Sequence, residues 1–221
     1  METKKKIVEN WLPRYTGVPL KNFGRYVLLT NFQHYVQLFA QWHRVPVMGK
    51  DKPMPSATAN GITIINFGMG SATAATVMDL LSAINPKAVL FLGKCGGIKH
   101  RAEIGDLILP IAAIRGEGTS NDYFPPEVPA LPAFVKKYLR KIRVMAVDME
   151  TATIFITAFA NETVAGALLL VSDQPMTPEG VKTHASDQKV DAKFVEMHLR
   201  IGIDSLKQLI NKGVTVKHLK F

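Results

Sequence analysis

Two acids in apolar surroundings are the residues of this chain best suited to chemistry. Glu150 closes the segment Met145-Ala-Val-Asp-Met-Glu150, and Asp173 ends the run Gly166-Ala-Leu-Leu-Leu-Val-Ser-Asp173. An apolar run bounded by Gly166 and by Gln174-Pro175 reads as a buried parallel strand. An acid just past such a strand sits at the carboxyl edge of the sheet, where open α/β folds take their ligands. Alone, Asp173 could cap a loop and Glu150 could be a solvated helix acid, because acids are mostly exposed. As a pair, downstream of two glycine-rich turns, they point to an acid–base active site.

The first turn, Gly68-Met69-Gly70, lies between a β-prone run and a helical one. Backbone N–H groups and the helix dipole there favour a polar or anionic ligand group, although many such glycines only make a tight turn. Thr73 stands where a dinucleotide fingerprint needs its third glycine. Gly180-Val181-Lys182-Thr183 is not a phosphate loop either, because Val181 separates glycine from lysine and Pro175 holds the opening position. The second turn, Gly93-Lys94-Cys95-Gly96-Gly97, sets a lysine inside a glycine-rich strand end. That charge needs solvent, a phosphate or a carboxylate. Cys95 reads as a small packed residue, and the six histidines show no metal-ligand spacing.

The elements that must position these residues follow from periodicity. Strands are expected at Tyr26–Thr30, Gly61–Phe67, Lys87–Leu92, Asp106–Ile114 and Ala167–Ser172. Helices are expected at Phe32–Trp42, from an N-cap at Ser71 to before Pro86, and at Thr151–Ala160. A last helix is expected over Asp187–Lys212, with Val190, Phe194, Met197, Ile201 and Leu209 as its apolar stripe and Gly213 as its stop. Lys50–Pro55 and Pro175–Gly180 read as loops. Strands alternating with helices predict an α/β fold with a mainly parallel, twisted central sheet flanked by helices. No repeat or linker divides residues 1–221, so one domain is expected.

Bulk composition agrees. The chain has 221 residues, 47% hydrophobic and 20% charged, which suits one domain with a sizeable core. No apolar stretch is long enough for a membrane span, and the basic start leads into no signal-type segment. One cysteine excludes an internal disulfide and a cysteine metal cluster, and a cytoplasmic protein is the simplest reading. The net charge of +9 and pI near 9.6 fit either a nucleic-acid surface or a field that attracts small phosphorylated ligands. The basic run Lys136–Arg143 lacks the interleaved aromatics of a single-strand platform, and no recognition-helix or zinc-finger pattern occurs. Nucleic-acid binding is therefore disfavoured as the main function.

Four segments, Phe67–Gly70, Gly93–Gly97, Val147–Glu150 and Val171–Asp173, come in the order seen in the nucleoside phosphorylase/methylthioadenosine-nucleosidase superfamily. Trp11–Gly17, Leu29–Phe32, Leu90–Gly97, Arg115–Tyr123, Ser172–Pro175 and Val216–Phe221 together resemble the AMP nucleosidases within it. The resemblance covers nearly the whole chain. Beside the longer bacterial enzymes, it would be the catalytic domain alone.

The resemblance implies a nucleoside-phosphorylase-like fold and hydrolysis of the N-glycosidic bond of AMP to adenine and ribose 5-phosphate, with no cofactor. Asp173 matches the acid that protonates the purine N7, and Glu150 matches the acid that grips the ribose hydroxyls. Met149 would pack under the sugar, while Gly68, Met69, Gly70 and Gly96 would bring backbone close to sugar and base. Phe91 and Lys94 stand where phosphorylases carry an arginine and a small hydroxyl residue, which favours water over phosphate as nucleophile. Lys94 is then expected to hold an anion, either the nucleotide's phosphate or that of a phosphate or nucleotide effector. Arg44 resembles an arginine that reaches a neighbouring subunit's site, and the family implies a homo-oligomer, a hexamer built from dimers. The family also carries a longer segment, with an aromatic contact to the base, where this chain has only Asn121–Ala146; residues near 139–142 are expected to be missing. The competing readings are a purine nucleoside phosphorylase, a nucleosidase acting on unphosphorylated nucleosides, and a non-catalytic nucleotide- or RNA-binding relative.

Overall fold

All five residues of the strand Tyr26–Thr30 (β1) are buried, and its apolar side chains alternate between two cores. Val27 and Leu29 join Leu12, Ile65, Phe67 and Phe91 on one face. Tyr26 and Leu28 join Phe39, Ile64, Leu92 and Leu199 on the other. Side chains of period two can be apolar throughout only if both faces are covered, so the sheet is the middle of three layers. The computed structural model describes residues 3–99, 101–116, 141, 144–178 and 180–213.

The remaining strands are Ser56–Ala59 (β2), Ile62–Asn66 (β3), Ala88–Gly97 (β4), Leu107–Ile108 (β5), Ala146–Val147 (β6) and Ala165–Asp173 (β7). Their order is β2-β3-β1-β4-β7-β5. The inner four are parallel, β2 and β5 are antiparallel edges, and β6 runs antiparallel along the end of β4. Helices Lys4–Thr16 (α1), Ser71–Leu81 (α3) and Thr151–Ala160 (α4) cover the first face. Helices Gln33–His43 (α2) and His184–Lys212 (α5) cover the second. The connection after β1 thus leads to one face and that after β3 to the other, which opens a crevice at the carboxyl ends of the strands. No helix among the described residues is long and apolar enough to cross a membrane.

The α/β class is as expected, and the departures have local causes. The glycine segment Gly93–Gly97 is strand rather than turn, because β7 pairs with it as far as Gly96 and β6 pairs with Gly96 and Gly97. The strand expected over Asp106–Ile114 shrinks to Leu107 and Ile108, since Pro110 offers no N–H to continue the ladder. Ser71 is the first residue of α3 and not its cap; Gly70 holds that place at φ +92°. Helix α5 begins at His184, earlier than expected, because Thr183 and Ser186 form a reciprocal capping box. Its buried face is Val190, as expected, with Val195, His198, Leu199, Gly202, Ile203 and Leu206, while Met197 and Ile201 are exposed. Gly202 sets this register, since a Cβ there would lie 2.7 Å from Leu92 Cδ1. Helix α1 went unread because Pro13 lies within its last turn. Residues 117–140, 142–143 and 214–221 lie outside the described residues, and with them most of Arg115–Tyr123, the basic run and the stretch near 139–142 apart from Lys141, and all of Val216–Phe221.

Candidate active site

Register through one glycine brings the segments that carry the two acids to the same edge of the sheet. Gly96 pairs with Val147 of β6 on one edge and with Asp173 of β7 on the other. Three residues after Val147, the chain reaches Glu150. A bulge between Cys95 and Gly96 aligns Gly96 with Asp173 in place of Ser172. Gly96 is needed for packing as much as for pairing: a Cβ there would meet Pro175 Cδ at 2.9 Å and Val147 Cγ1 at 3.4 Å. The close approach expected of Gly96 is therefore filled by the Pro175 ring next to Asp173.

Glu150 occupies the cap position of α4 yet makes no side-chain cap bond. Asp148 supplies the cap instead, its Oδ2 accepting from Thr151 N at 2.8 Å, Thr151 Oγ1 at 2.6 Å and Glu150 N at 3.2 Å. The Glu150 carboxylate is thus released toward the glycine turn, where Oε1 accepts the Gly70 N–H at 2.7 Å. Gly68 (φ +84°) and Gly70 (φ +92°) hold backbone conformations that other residues rarely adopt. The Gly68 N–H is fixed by Asn66 Oδ1 at 3.1 Å, and Asn66 in turn donates to Gln33 Oε1 at 3.2 Å. Glu150 is 2% exposed. Burial pushes its carboxyl above the ordinary glutamate range; the Gly70 N–H opposes this, and the charge of Asp148 adds to it. The Met149 N–H and the Asn31 amide also favour the ionised form. Met69 and Met149, each 59% exposed, flank the Gly70–Glu150 contact in sequence and present polarisable apolar surface at the rim.

Asp173 is half-buried at the end of β7. Ser172 Oγ donates to its Oδ1 at 2.9 Å, and the Lys182 N–H donates to its Oδ2 at 3.4 Å. Lys182 Nζ donates to Ser172 Oγ at 3.4 Å. Sequence reasoning set Lys182 aside with the failed phosphate loop; only the fold brings it back beside Asp173.

Lys94, expected to hold an anion, meets two carboxylates of its own chain, one of the partners its place in a strand end called for. Its side chain is 2% exposed, with Nζ 2.8 Å from Asp187 Oδ1 and 2.5 Å from Asp191 Oδ1, both on α5. Nζ also stands 4.5 Å from the centre of the Phe32 ring. Burial works against the Asp187 charge, but the bonds and charges of Lys94 and Lys182 hold its pKa below the ordinary range. Beneath this pair, His198 accepts from Tyr35 Oη at Nδ1 (2.9 Å) and donates from Nε2 to Leu168 O (2.9 Å). Burial drives the His198 pKa down to about 4, and the Lys94 charge adds to the shift, so this histidine stays neutral.

Phe91 is fully buried in the core, its ring 5.7 Å from that of Phe67 and pressed over Gly93. Cys95 is buried too, and burial with the charges of Asp148 and Asp173 pushes its thiol up to about 12, which removes it as a nucleophile. Arg44 is exposed in the left-handed region at the far end of α2. Its neighbour His43 lies 3.4 Å from Asn60, at the start of β3 and away from the acids. One chain does not bring Arg44 to the site. An apolar cleft of about 590 Å³, lined by Leu109, Ile111, Phe155, Phe159 and Val164, lies at the start of β7, also away from the acids.

The described residues therefore join Glu150, Gly68, Met69, Gly70, Met149, Gly96 and Asp173 at one sheet edge, and leave Lys94 and Arg44 out. Comparisons with known proteins identify the family. AMP nucleosidase of Escherichia coli is 26% identical over 284 aligned residues, 91% of this chain; the chain spans 58% of that enzyme's length. The crystal structure of AMP nucleosidase from Bacteroides thetaiotaomicron superposes with a TM-score of 0.79 at 51% identity, covering 95% of this chain and all of that one. Uridine phosphorylase from Vibrio fischeri shares the fold, with a TM-score of 0.69 at 16% identity over 86% of this chain and 94% of that one. The sequence profile of the phosphorylase superfamily matches residues 25–136 and 132–208, and the chain belongs to that superfamily.

Proposed function

We propose that this chain hydrolyses the N-glycosidic bond of AMP, releasing adenine and ribose 5-phosphate. The observation that carries the reading is the register of Gly96, which has Asp173 on one side of a strand end and Val147, three residues before Glu150, on the other. Breaking C1′–N9 leaves positive charge on the ribose and negative charge on the purine. Asp173, as general acid, gives a proton to the purine N7 as the bond lengthens. Glu150 accepts hydrogen bonds from the ribose hydroxyls, and its charge favours the developing cation. Met149 and Met69 supply the apolar contact at the sugar. General acid catalysis of this kind is worth ~10²–10⁴ in rate.

Two features favour water over phosphate as the nucleophile. Position 91, where phosphorylases resemble one another in carrying arginine, is a core phenylalanine. Lys94 is neutralised by Asp187 and Asp191, so neither residue offers a free cation to inorganic phosphate. The similarity to two AMP nucleosidases supports AMP as the substrate. A single catalytic domain over residues 1–221, working as a homo-oligomer in which Arg44 serves a neighbouring site, completes the proposal.

The test is release of free adenine from AMP and from adenosine, each with and without inorganic phosphate. Adenine from AMP without phosphate is the expected result. Release from adenosine alone, dependent on phosphate, would make the protein a phosphorylase. Binding of AMP with no release would leave a non-catalytic nucleotide binder.

A further inference from the structure

The supports of Asp173 lead back, bond by bond, to a lysine that touches no part of the proposed reaction. Asp173 is held at Oδ1 by Ser172 and at Oδ2 by the Lys182 N–H. Lys182 is itself fastened by its Nζ, 3.2 Å from Asp187 Oδ1 and 3.4 Å from Ser172 Oγ. Asp187 lies in the first turn of α5 and is clamped at 2.8 Å by Lys94 Nζ from β4. The clamp is doubled one helical turn later by Asp191 at 2.5 Å. Two lysines and two aspartates balance, so the cluster carries no surplus charge for a ligand. Its members come from the end of β4, the loop after β7 and the start of α5, and Phe32 at the start of α2 packs under Lys94.

Such an arrangement is costly to build: a lysine with a 2% exposed side chain has given up water and needs partners that are fixed. A well-packed apolar residue would hold strand and helix together as well or better. What the ion pairs add is direction, since they fix the first turn of α5 and with it the residue just before that helix's cap, Lys182. We propose that Lys94 is a positioning residue for Asp173, acting through Asp187 and Lys182 to hold the carboxyl group at the angle from which it meets the purine. This rests on the role given above to Asp173, and it assigns Lys94 no contact with substrate or phosphate. A misplacement of about 1 Å in a catalytic group can cost ~10²-fold, which sets the scale of the effect.

The experiment compares wild type, Asp187→Asn and Lys94→Met, each alone and combined with Asp173→Asn. Asp187→Asn is the milder change, because Lys94 keeps Asp191 and the fold keeps its clamp. Both variants are expected to lower kcat on AMP by roughly 10- to 100-fold with KM within about threefold. In the Asp173→Asn background both should add almost nothing, because they act through the residue already lost. Amide hydrogen exchange read residue by residue gives a second measure that needs no activity. In both variants the Lys182 amide should lose protection while amides of β1 and β4 keep theirs.

Effects that add in full to Asp173→Asn, or a raised KM at unchanged kcat, would overturn the proposal; the latter would return Lys94 to substrate binding. Unchanged protection at Lys182 would overturn it as well. If wild type releases no adenine from AMP, the function is wrong while the exchange result still decides whether Lys94 positions Asp173. Should Lys94→Met fail to fold, Asp187→Asn carries the same comparison.

Discussion

Glu150 and Asp173 reach one sheet edge by opposite routes. Glu150 is held by backbone: a glycine turn donates to its carboxylate, and a cap supplied by Asp148 fixes the helix start on which it sits. Asp173 is held by Ser172 and by the residue before a helix cap, which is itself fastened through salt bridges. Glu150 is buried, whereas Asp173 is half-buried. The contrast suits the roles proposed for them. A group that stabilises charge on the sugar throughout the reaction gains from rigidity and low dielectric. A group that must deliver a proton and then recover it from solvent gains from partial exposure.

The largest expected effect separates the two acids kinetically. Asp173→Asn should lower kcat by ~10²–10⁴ while leaving AMP binding nearly intact, because the amide keeps the shape but has no acidic proton. Glu150→Ala should lower kcat and also weaken binding, since the hydrogen bonds proposed for it to the ribose would form before the bond breaks. Steady-state rates with calorimetric binding of AMP check both. Equal losses of kcat at unchanged binding in the two variants would erase the distinction.

The next effect tests the backbone side of the contrast. Gly70 sits at φ +92° and ψ 165°, a conformation essentially confined to glycine, although a Cβ there would meet nothing within 4 Å. Gly70→Ala should therefore cost ~1–3 kcal/mol through strain alone. For a domain of this size that is roughly 2–4 °C of melting temperature per kcal/mol. The N–H held on Glu150 should shift with it, so KM for AMP should rise. A change in melting temperature without a change in KM would mean that the turn shapes the fold and not the site.

A smaller effect belongs to Asp148. Removing its cap by Asp148→Ala should cost ~0.5–2 kcal/mol, measured by denaturant unfolding. Its kinetic consequence should fall on binding, through Glu150, and leave the Asp173 step alone.

The same contrast explains how much could be read from sequence. Glu150, Asp173 and the glycine turn were legible because strand ends and βα turns have compositional marks: Gly166 before an apolar run, and two glycines before Ser71. Most parallel strands were legible for the same reason, each being a short apolar run with both faces buried. Lys94 was legible as a charge in need of a phosphate or a carboxylate, but the carboxylates themselves were not, because they lie 93 and 97 positions along the chain and only the packing of α5 on β4 brings them near. A lysine in a strand signals that a partner is needed and is silent on which one. Lys182 and Asp148 were hidden because their work is local backbone geometry, which no period reveals. The Thr183–Ser186 box was readable in principle, as a hydroxyl residue followed three positions later by another at the head of a helical pattern.

The smallest effect concerns protons at Glu150. Burial raises its pKa in the folded protein above the unfolded value, so the native state binds this proton more tightly than the unfolded chain does. Stability from this group is then greatest below the ordinary glutamate range and falls as pH climbs through the raised native pKa. Glu150→Gln keeps the acceptor for Gly70 but cannot ionise. The stability of wild type relative to Glu150→Gln should therefore decline as pH rises, and level off once Glu150 is ionised in both states. Unfolding midpoints of the two proteins from about pH 4 to about pH 8 give the curve, and the other acids cancel because both proteins share them. A difference that grows with pH would mean that hydrogen bonds from Gly70, Met149 and Asn31 outweigh burial. Adding Asp148→Ala to both proteins should flatten the decline without abolishing it, since Asp148 contributes only the smaller part of the upward shift and burial the larger.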